Sequence, residues 1–550
     1  PRSSLVSFSV VPLSSVNVIT GKEEQIPATK LRLTHASGRF ALNTSYSVIM
    51  DKPTRDLVID DTSTDIDERN YITSASVVGF TTQKGNWKTV KPVPNISIEN
   101  EGAIDAAPVS LDKNQFSPSI ISNSKGDTFI LWRQESSPGI TQLWATRYQT
   151  NDKKWSSIKQ SDQLCEGNVC SNATQINIEN LTNVLEYSAS INEKGQLAVA
   201  WSQAKPSEDV ASIWAKLYDG EKWLELTNIS DTGTSQIVHA DSPKIEIDSK
   251  GNAVSIWREH EGQYSRIKTN IFKLDSNSIM EDGQWTEAPS FIDNLIQVNS
   301  RPPELSLSKK GLAIAVWAQQ EPEDNFHIQS NHLRLNQSNS LVWVGSQRID
   351  LIDSSLAEYE IGDSTLPKIA IDQNSDAIAL WLKHDGDRNN LWYSRFTGSW
   401  GAAEYLERDR LGDADYPTIT YSQSNIALAS WTQEIKSTNL KNLMTSFFNV
   451  NSEGWEEQEI IASSATLVKP FSSFDREGNA MLMWQSGLTK GDVKVSYYSK
   501  LSKSWESALT LGSNANDAGI VPLFEDGRFL SVWENETNSS FKLNSVLFSD

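Results

Sequence analysis

The sequence predicts an all-β chain, a single closed β-propeller of eight to nine four-stranded blades, with nine ahead of eight. Three observations carry that expectation. Eight tryptophans (Trp132, Trp201, Trp257, Trp317, Trp381, Trp431, Trp484 and Trp533) each end a short apolar run. Six places before them stand Gly126, Gly195, Gly251, Gly311, Ser375, Asn425, Gly478 and Gly527. Gly, and after it Asn, adopts φ > 0 most readily, so a fixed turn feeds a fixed strand register. Successive tryptophans lie between 49 residues (Trp484 to Trp533) and 69 residues (Trp132 to Trp201) apart. That is the length of a repeated supersecondary unit.

Each repeat divides into four strands. In SPKIEIDSKGNAVSIW, the segment PKIEI alternates, DSKG turns and NAVSIW returns, the signature of a hairpin with one face buried. A third strand follows, such as LWATRY, IWAKLY or LWYSRF, and then a second tryptophan: Trp155, Trp223, Trp285, Trp343, Trp400, Trp455 or Trp505, with Trp87 earlier in the chain. One such sheet leaves two apolar faces uncovered, and a ring of stacked sheets covers both.

The ends of the chain set the blade count. TKLRLTHASGRFALNTS fits the hairpin pattern around Gly38, with Thr44 where tryptophan stands elsewhere. The final repeat stops after its third strand, FKLNSVLF. SLVSFSVVPL is the expected fourth strand, because a ring closed from both termini leaves no open edge. The expected organisation is therefore a closing strand and linker over residues 1–27, a degenerate first blade with an acidic insertion over 28–110, and eight Trp-bearing repeats over 111–550.

Composition narrows the function classes. The formal charge is −21 with a pI near 4.8, which argues against nucleic acid and anionic membrane as partners. No apolar run reaches the roughly 20 residues that a membrane-spanning helix needs. Cys165 and Cys170 flank four residues in LCEGNVC, and a small disulfide is expected there in an oxidising compartment. The first residue is Pro1 and no signal peptide is visible, so a removed upstream segment is expected. The protein is read as exported (periplasmic, cell-surface or secreted), bacterial and monomeric.

Signals for chemistry are few. The six histidines (His35, His239, His260, His327, His332 and His384) are read as scattered over different repeats at surface or loop positions, with no paired-ligand motif. Asp60, Asp61, Asp65 and Asp67, with Glu68, form an acidic loop that makes calcium the one cofactor considered. A second loop, Asp372, Asn374 and Asp376, more simply caps a turn. Gln134, Gln203, Glu259, Gln319, Gln433 and Asn535 each stand two places after a repeat tryptophan, where hydrogen bonding at blade edges is expected. Trp144, Trp214 and Trp392 share one third-strand position that carries Met444 and Lys494 in other repeats. A position that accepts lysine is read as outside the deep core, so these three are the candidates for stacking on sugar rings.

The repeats resemble the degenerate propeller repeats of secreted bacterial proteins, and loosely the sialidase and Asp-box families, over about residues 28–550. The Asp-box order S-x-D-x-G-x-x-W is not met. Arg301–Pro302 stands without the aromatic residue of the sialidase arginine motif, so no catalytic residue carries over. The expectation is a non-enzymatic propeller that binds a glycan or a surface protein through one ring face. A glycoside hydrolase or polysaccharide lyase with its site in the central funnel is the alternative, and a scaffold for envelope proteins is a third. Convergent Arg, His, Tyr or carboxylate groups at the central mouth would mark the enzyme.

Overall fold

The structure is a computed structural model. It describes most of residues 115–549 in full and, before residue 115, only the backbone of ten short strands. The chain divides into two compact units: residues 1–86 with 499–504 and 550, and residues 87–498 with 505–549.

The second unit is a propeller of eight blades, here I to VIII. Their inner strands are Gln115–Ser122, Asn183–Ile191, Ala240–Ile247, Glu304–Leu307, Ser364–Ile371, Ala414–Tyr421, Leu467–Phe474 and residues 515–523. Each leads by antiparallel pairing into a second, a third and an outer strand. Each inner strand packs on that of the next blade, and blade VIII packs back on blade I. All eight repeat tryptophans are buried, Trp257 fully so. The turn residue six places earlier has positive φ in all seven described repeats, including Ser375 (78°) and Asn425 (59°).

The residue two places beyond the tryptophan shares its face of the strand, and in blades I, II and VI its glutamine side chain accepts the indole N–H. Trp132 Nε1 donates to Gln134 at 3.0 Å, Trp201 to Gln203 at 2.8 Å and Trp431 to Gln433 at 3.1 Å. The amide repeat is thus a means of burying indole without losing its hydrogen bond.

Nine blades are not formed. Leu31–Leu33, expected in a hairpin around Gly38, pairs instead with Phe8–Val10, which had been expected to close the ring. Among the described residues, the strands of the first unit form two-stranded pairings. Ser540–Ser549 takes Lys91–Pro92 as its neighbour, with Lys91 opposite Ser545. The reason is topological. In every other blade the outer strand runs directly into the next inner strand, and only a segment just upstream of Gln115 can do so for blade VIII. Residues 1–12 would need a connection of about a hundred residues, far longer than ordinary loops.

Five inner strands share a feature that periodicity does not reveal. Ser117, Ser242, Leu366, Tyr416 and Lys469 have φ between 49° and 53°, each precedes a proline, and each sits in a bulge. The bulges turn the starts of the inner strands at one mouth of the central channel. The Gly-type turns lie at the other.

Candidate functional site

At the mouth where the inner strands begin, blade III carries His239, Asp241, Arg258 and His260. Asp241 starts the inner strand and pairs across the hairpin with Arg258, and the backbone of His260 bonds that of His239 at 2.9 Å. The two histidines meet because the bulge between Asp241 and Lys244 takes up one residue, so that His239, nine places before Asp248, comes opposite His260, eight places after Asn252. The sequence reading, which scattered them over different repeats, is corrected here. Counting outward from the turn finds the pair only when the bulge is allowed for.

Arg258 grips Asp241 with both Nε (2.8 Å) and Nη2 (2.7 Å), and His260 Nε2 lies 3.0 Å from Asp241 Oδ2. Burial by itself raises the Asp241 carboxyl, but the Arg258 and His260 hydrogen bonds outweigh it and hold the group below the usual aspartate value. An ionised carboxylate can only accept, so His260 donates from Nε2 and keeps Nδ1 as an acceptor. Its ring is one-third exposed. An imidazole oriented by a half-buried carboxylate, with its second nitrogen an acceptor, has the form of a general base.

His239 has the opposite arrangement. Its Nδ1 accepts the backbone N–H of Ala211 at 3.1 Å, so the ring proton stands on Nε2, 3.6 Å from Asp241. Burial, then the neighbouring His260, push its pKa below the ordinary imidazole value, against the pull of Asp241.

His239, Asp241 and His260 are the one group of three metal-ligand side chains among the described residues. They do not suit a metal ion. Nε2 of His239 is committed as a donor, and Arg258 holds both oxygens of Asp241.

The polar surface continues onto blades I and II. Arg133, Glu186 and Tyr187 line a cavity of about 350 Å³, and Glu186 accepts the N–H of Ser242, next to Asp241, at 2.9 Å. Deeper in the channel, Glu304 bridges Lys244 (2.9 Å) and Lys368. These two lysines overcome the effect of burial and hold the Glu304 carboxyl at about 2. Burial in the channel raises Glu246 to about 7, opposed by its hydrogen bond from Ser190. At the turn end a second cavity, of about 270 Å³, is lined by Asn192, Ser308, Asp372 and Tyr421 among others.

The other candidates fall as follows. Trp144 and Trp392 are each 1 % exposed. They lie directly opposite Trp132 and Trp381 on the neighbouring strand, and Trp392 also stacks on Tyr405 at 3.8 Å. Trp214, opposite Trp201, is half-buried against the core between blades I and II. The faces of Trp144 and Trp392 are covered by protein and are not offered to a sugar. Lysine at the equivalent position 494 was a misleading guide, because each blade has a different neighbour. The side chains of Asp60, Asp61, Asp65, Asp67 and Glu68 lie outside the described residues. Cys165 and Cys170 are direct partners in a two-stranded hairpin, their side chains likewise outside the described residues. Asp372 caps its turn through Oδ1, accepting the N–H of Asn374 (2.8 Å) and Asp376 (2.9 Å). His327, expected at the surface, is buried against Asp350 at 3.1 Å. Arg348 at 2.7 Å and Ser364 at 2.5 Å complete that inter-blade cluster.

No family model matches the chain, and no curated protein matches it. Among solved structures it is similar to the polysaccharide lyase Uly1, at 9 % identity and a TM-score of 0.40 over 93 % of this chain and all of that one. It is similar to a PL25 ulvan lyase bound to a GlcA–Rha3S ligand, at 10 % identity and 0.37 over 73 % and 96 %. A third is an α-L-arabinanase of Penicillium chrysogenum with arabinobiose, at 13 % identity and 0.34 over 63 % and 95 %. No residue role is transferred from these likenesses.

Proposed function

We propose that this protein is a carbohydrate-active enzyme that cleaves a glycan at the His260 mouth of the channel. The observation that carries this reading is the Asp241–His260 pair clamped by Arg258. An oriented imidazole beside an ionised carboxylate at the mouth supports an enzyme over a binder. His260 Nδ1 takes the proton, Asp241 stabilises the imidazolium that forms, and Arg258 keeps Asp241 ionised.

Elimination suits the site better than hydrolysis. Glycosidases need two carboxyl groups facing the scissile bond, whereas the Asp241 carboxylate is already engaged by Arg258 and His260. In elimination, His260 removes the proton next to a uronate carboxylate, that electron pair becomes the new C=C bond, and the glycosidic oxygen leaves with its bonding pair. The test is incubation with polygalacturonate, alginate, ulvan and linear arabinan, following chain shortening and the ultraviolet absorbance of unsaturated ends. Absorbing ends support elimination. Shortening without them supports hydrolysis, and no shortening of any polymer counts against the enzyme.

A further inference from the structure

The wall of the mouth facing the dyad carries exposed apolar side chains. An inner strand is covered by its own blade and its neighbours, so a side chain on it reaches solvent only through the channel. Two large apolar residues are exposed there, Leu366 at 50 % and Phe471 at 40 %. Half-buried Tyr416 stands on the inner strand between theirs. Leu366 and Tyr416 occupy the bulge positions of blades V and VI. Phe471 directly follows the bulge of blade VII, in the place that Lys244 and Lys368 fill in blades III and V.

The eight-blade order fixes what this wall faces. Blades four places apart stand opposite one another, so V, VI and VII oppose I, II and III. Phe471 therefore lies across the channel from the blade of Asp241 and His260, and Tyr416 across from that of Glu186 and Tyr187. Blades I to III present Glu186, Tyr187 and Asp241, while blades V to VII present Leu366, Tyr416 and Phe471 with Lys368, Asp415 and Lys469 among them. Leu366 and Phe471 thus offer large apolar surface to the channel close to the charged Lys244, Glu304 and Lys368.

We infer that Phe471, Tyr416 and Leu366 form the platform on which one sugar ring of the substrate lies, its C–H face on the platform and its hydroxyl edge toward blades I to III. The occupant is a saccharide because exposed apolar side chains stand here among charged and hydrogen-bonding ones, which suits a pyranose with its apolar face and polar rim. This assignment rests on the glycan-cleaving reading above. Aromatic contact of this kind supplies binding rather than chemistry, so the three are positioning residues.

Affinity electrophoresis in gels containing polygalacturonate, alginate, ulvan or linear arabinan separates the two claims. Wild type and His260→Ala should be retarded equally in at least one gel. Phe471→Ala with Tyr416→Ala should bind at least about tenfold more weakly at an unchanged melting temperature, and Phe471→Trp should restore binding in the Tyr416 background. Full retardation of the double alanine variant, or no retardation of the wild type in any gel, overturns the platform. Retardation that depends on Phe471 without any cleavage by the wild type keeps the platform and removes the enzyme.

Discussion

Nδ1 of His239 accepts the backbone N–H of Ala211 at 3.1 Å, the place where Asn183 accepts that of Thr141 at 3.0 Å. Asp363 does the same for Phe326 and Asp413 for Asn389, at 2.9 and 2.7 Å. In each pair the start of one blade satisfies the first free N–H of the preceding blade's third strand. His239→Asn should retain this bond and the melting temperature. His239→Ala should cost about 1 kcal/mol, a typical net hydrogen bond.

The same contact sets a pH dependence. Protonating Nδ1 would destroy the acceptor, and the His239 pKa is depressed below 6.5. Below that value the unfolded chain binds the proton more readily than the folded one. The contribution is therefore complete above about pH 6.5 and is lost as the pH falls. Urea unfolding of wild type and His239→Asn from pH 8 to pH 5 should show the wild type losing more stability on acidification.

Gln433 accepts the Trp431 indole N–H at 3.1 Å and donates to the Gly412 carbonyl at 2.7 Å, inside the core. Gln433→Leu leaves two buried groups without partners and should destabilise by about 2–4 kcal/mol. Trp257→Ala, which opens a cavity between blades II and III, should cost about 3–5 kcal/mol. Thermal denaturation of both variants checks the pair.

Asp372 and Asp376 are like charges where other blades have a complementary pair. Asn123 donates to Asp127 at 2.9 Å, and Asn252 to Asp248 at 2.8 Å. Burial, and then the Asp376 charge, raise Asp372. Such a carboxyl favours the fold when protonated and opposes it as pH rises through its folded value. Asp372→Asn should therefore stabilise the protein by about 1 kcal/mol at pH 7, with the gain vanishing below pH 4. An equal gain at both pH values would contradict this account.

Much of this fold is legible in the sequence for one physical reason. A buried tryptophan at a constant distance from a φ > 0 turn fixes strand, register and covered face together. Blade number is less legible, because TKLRLTHASGRF has the alternation of a hairpin but finds its partner at Phe8–Val10, which no local pattern specifies. The serine-proline, leucine-proline and tyrosine-proline steps at 117, 242, 366 and 416 mark where inner strands begin, and they would have located the mouth. His239 and His260 escape a motif search because a hairpin, not a short spacing, brings them together. Trp144 and Trp392 mislead because exposure depends on the next blade, which the repeat containing them does not encode.

The central claim is that His260 is the base. The most direct measurement is the rate of polysaccharide chain shortening by wild type, His260→Ala and Asp241→Asn at matched folded concentration. The account predicts loss of about a hundredfold or more for His260→Ala, the scale of general-base catalysis. Asp241→Asn should also fall steeply, with circular dichroism and affinity electrophoresis unchanged for His260→Ala. Full activity in His260→Ala, with binding intact, would contradict it.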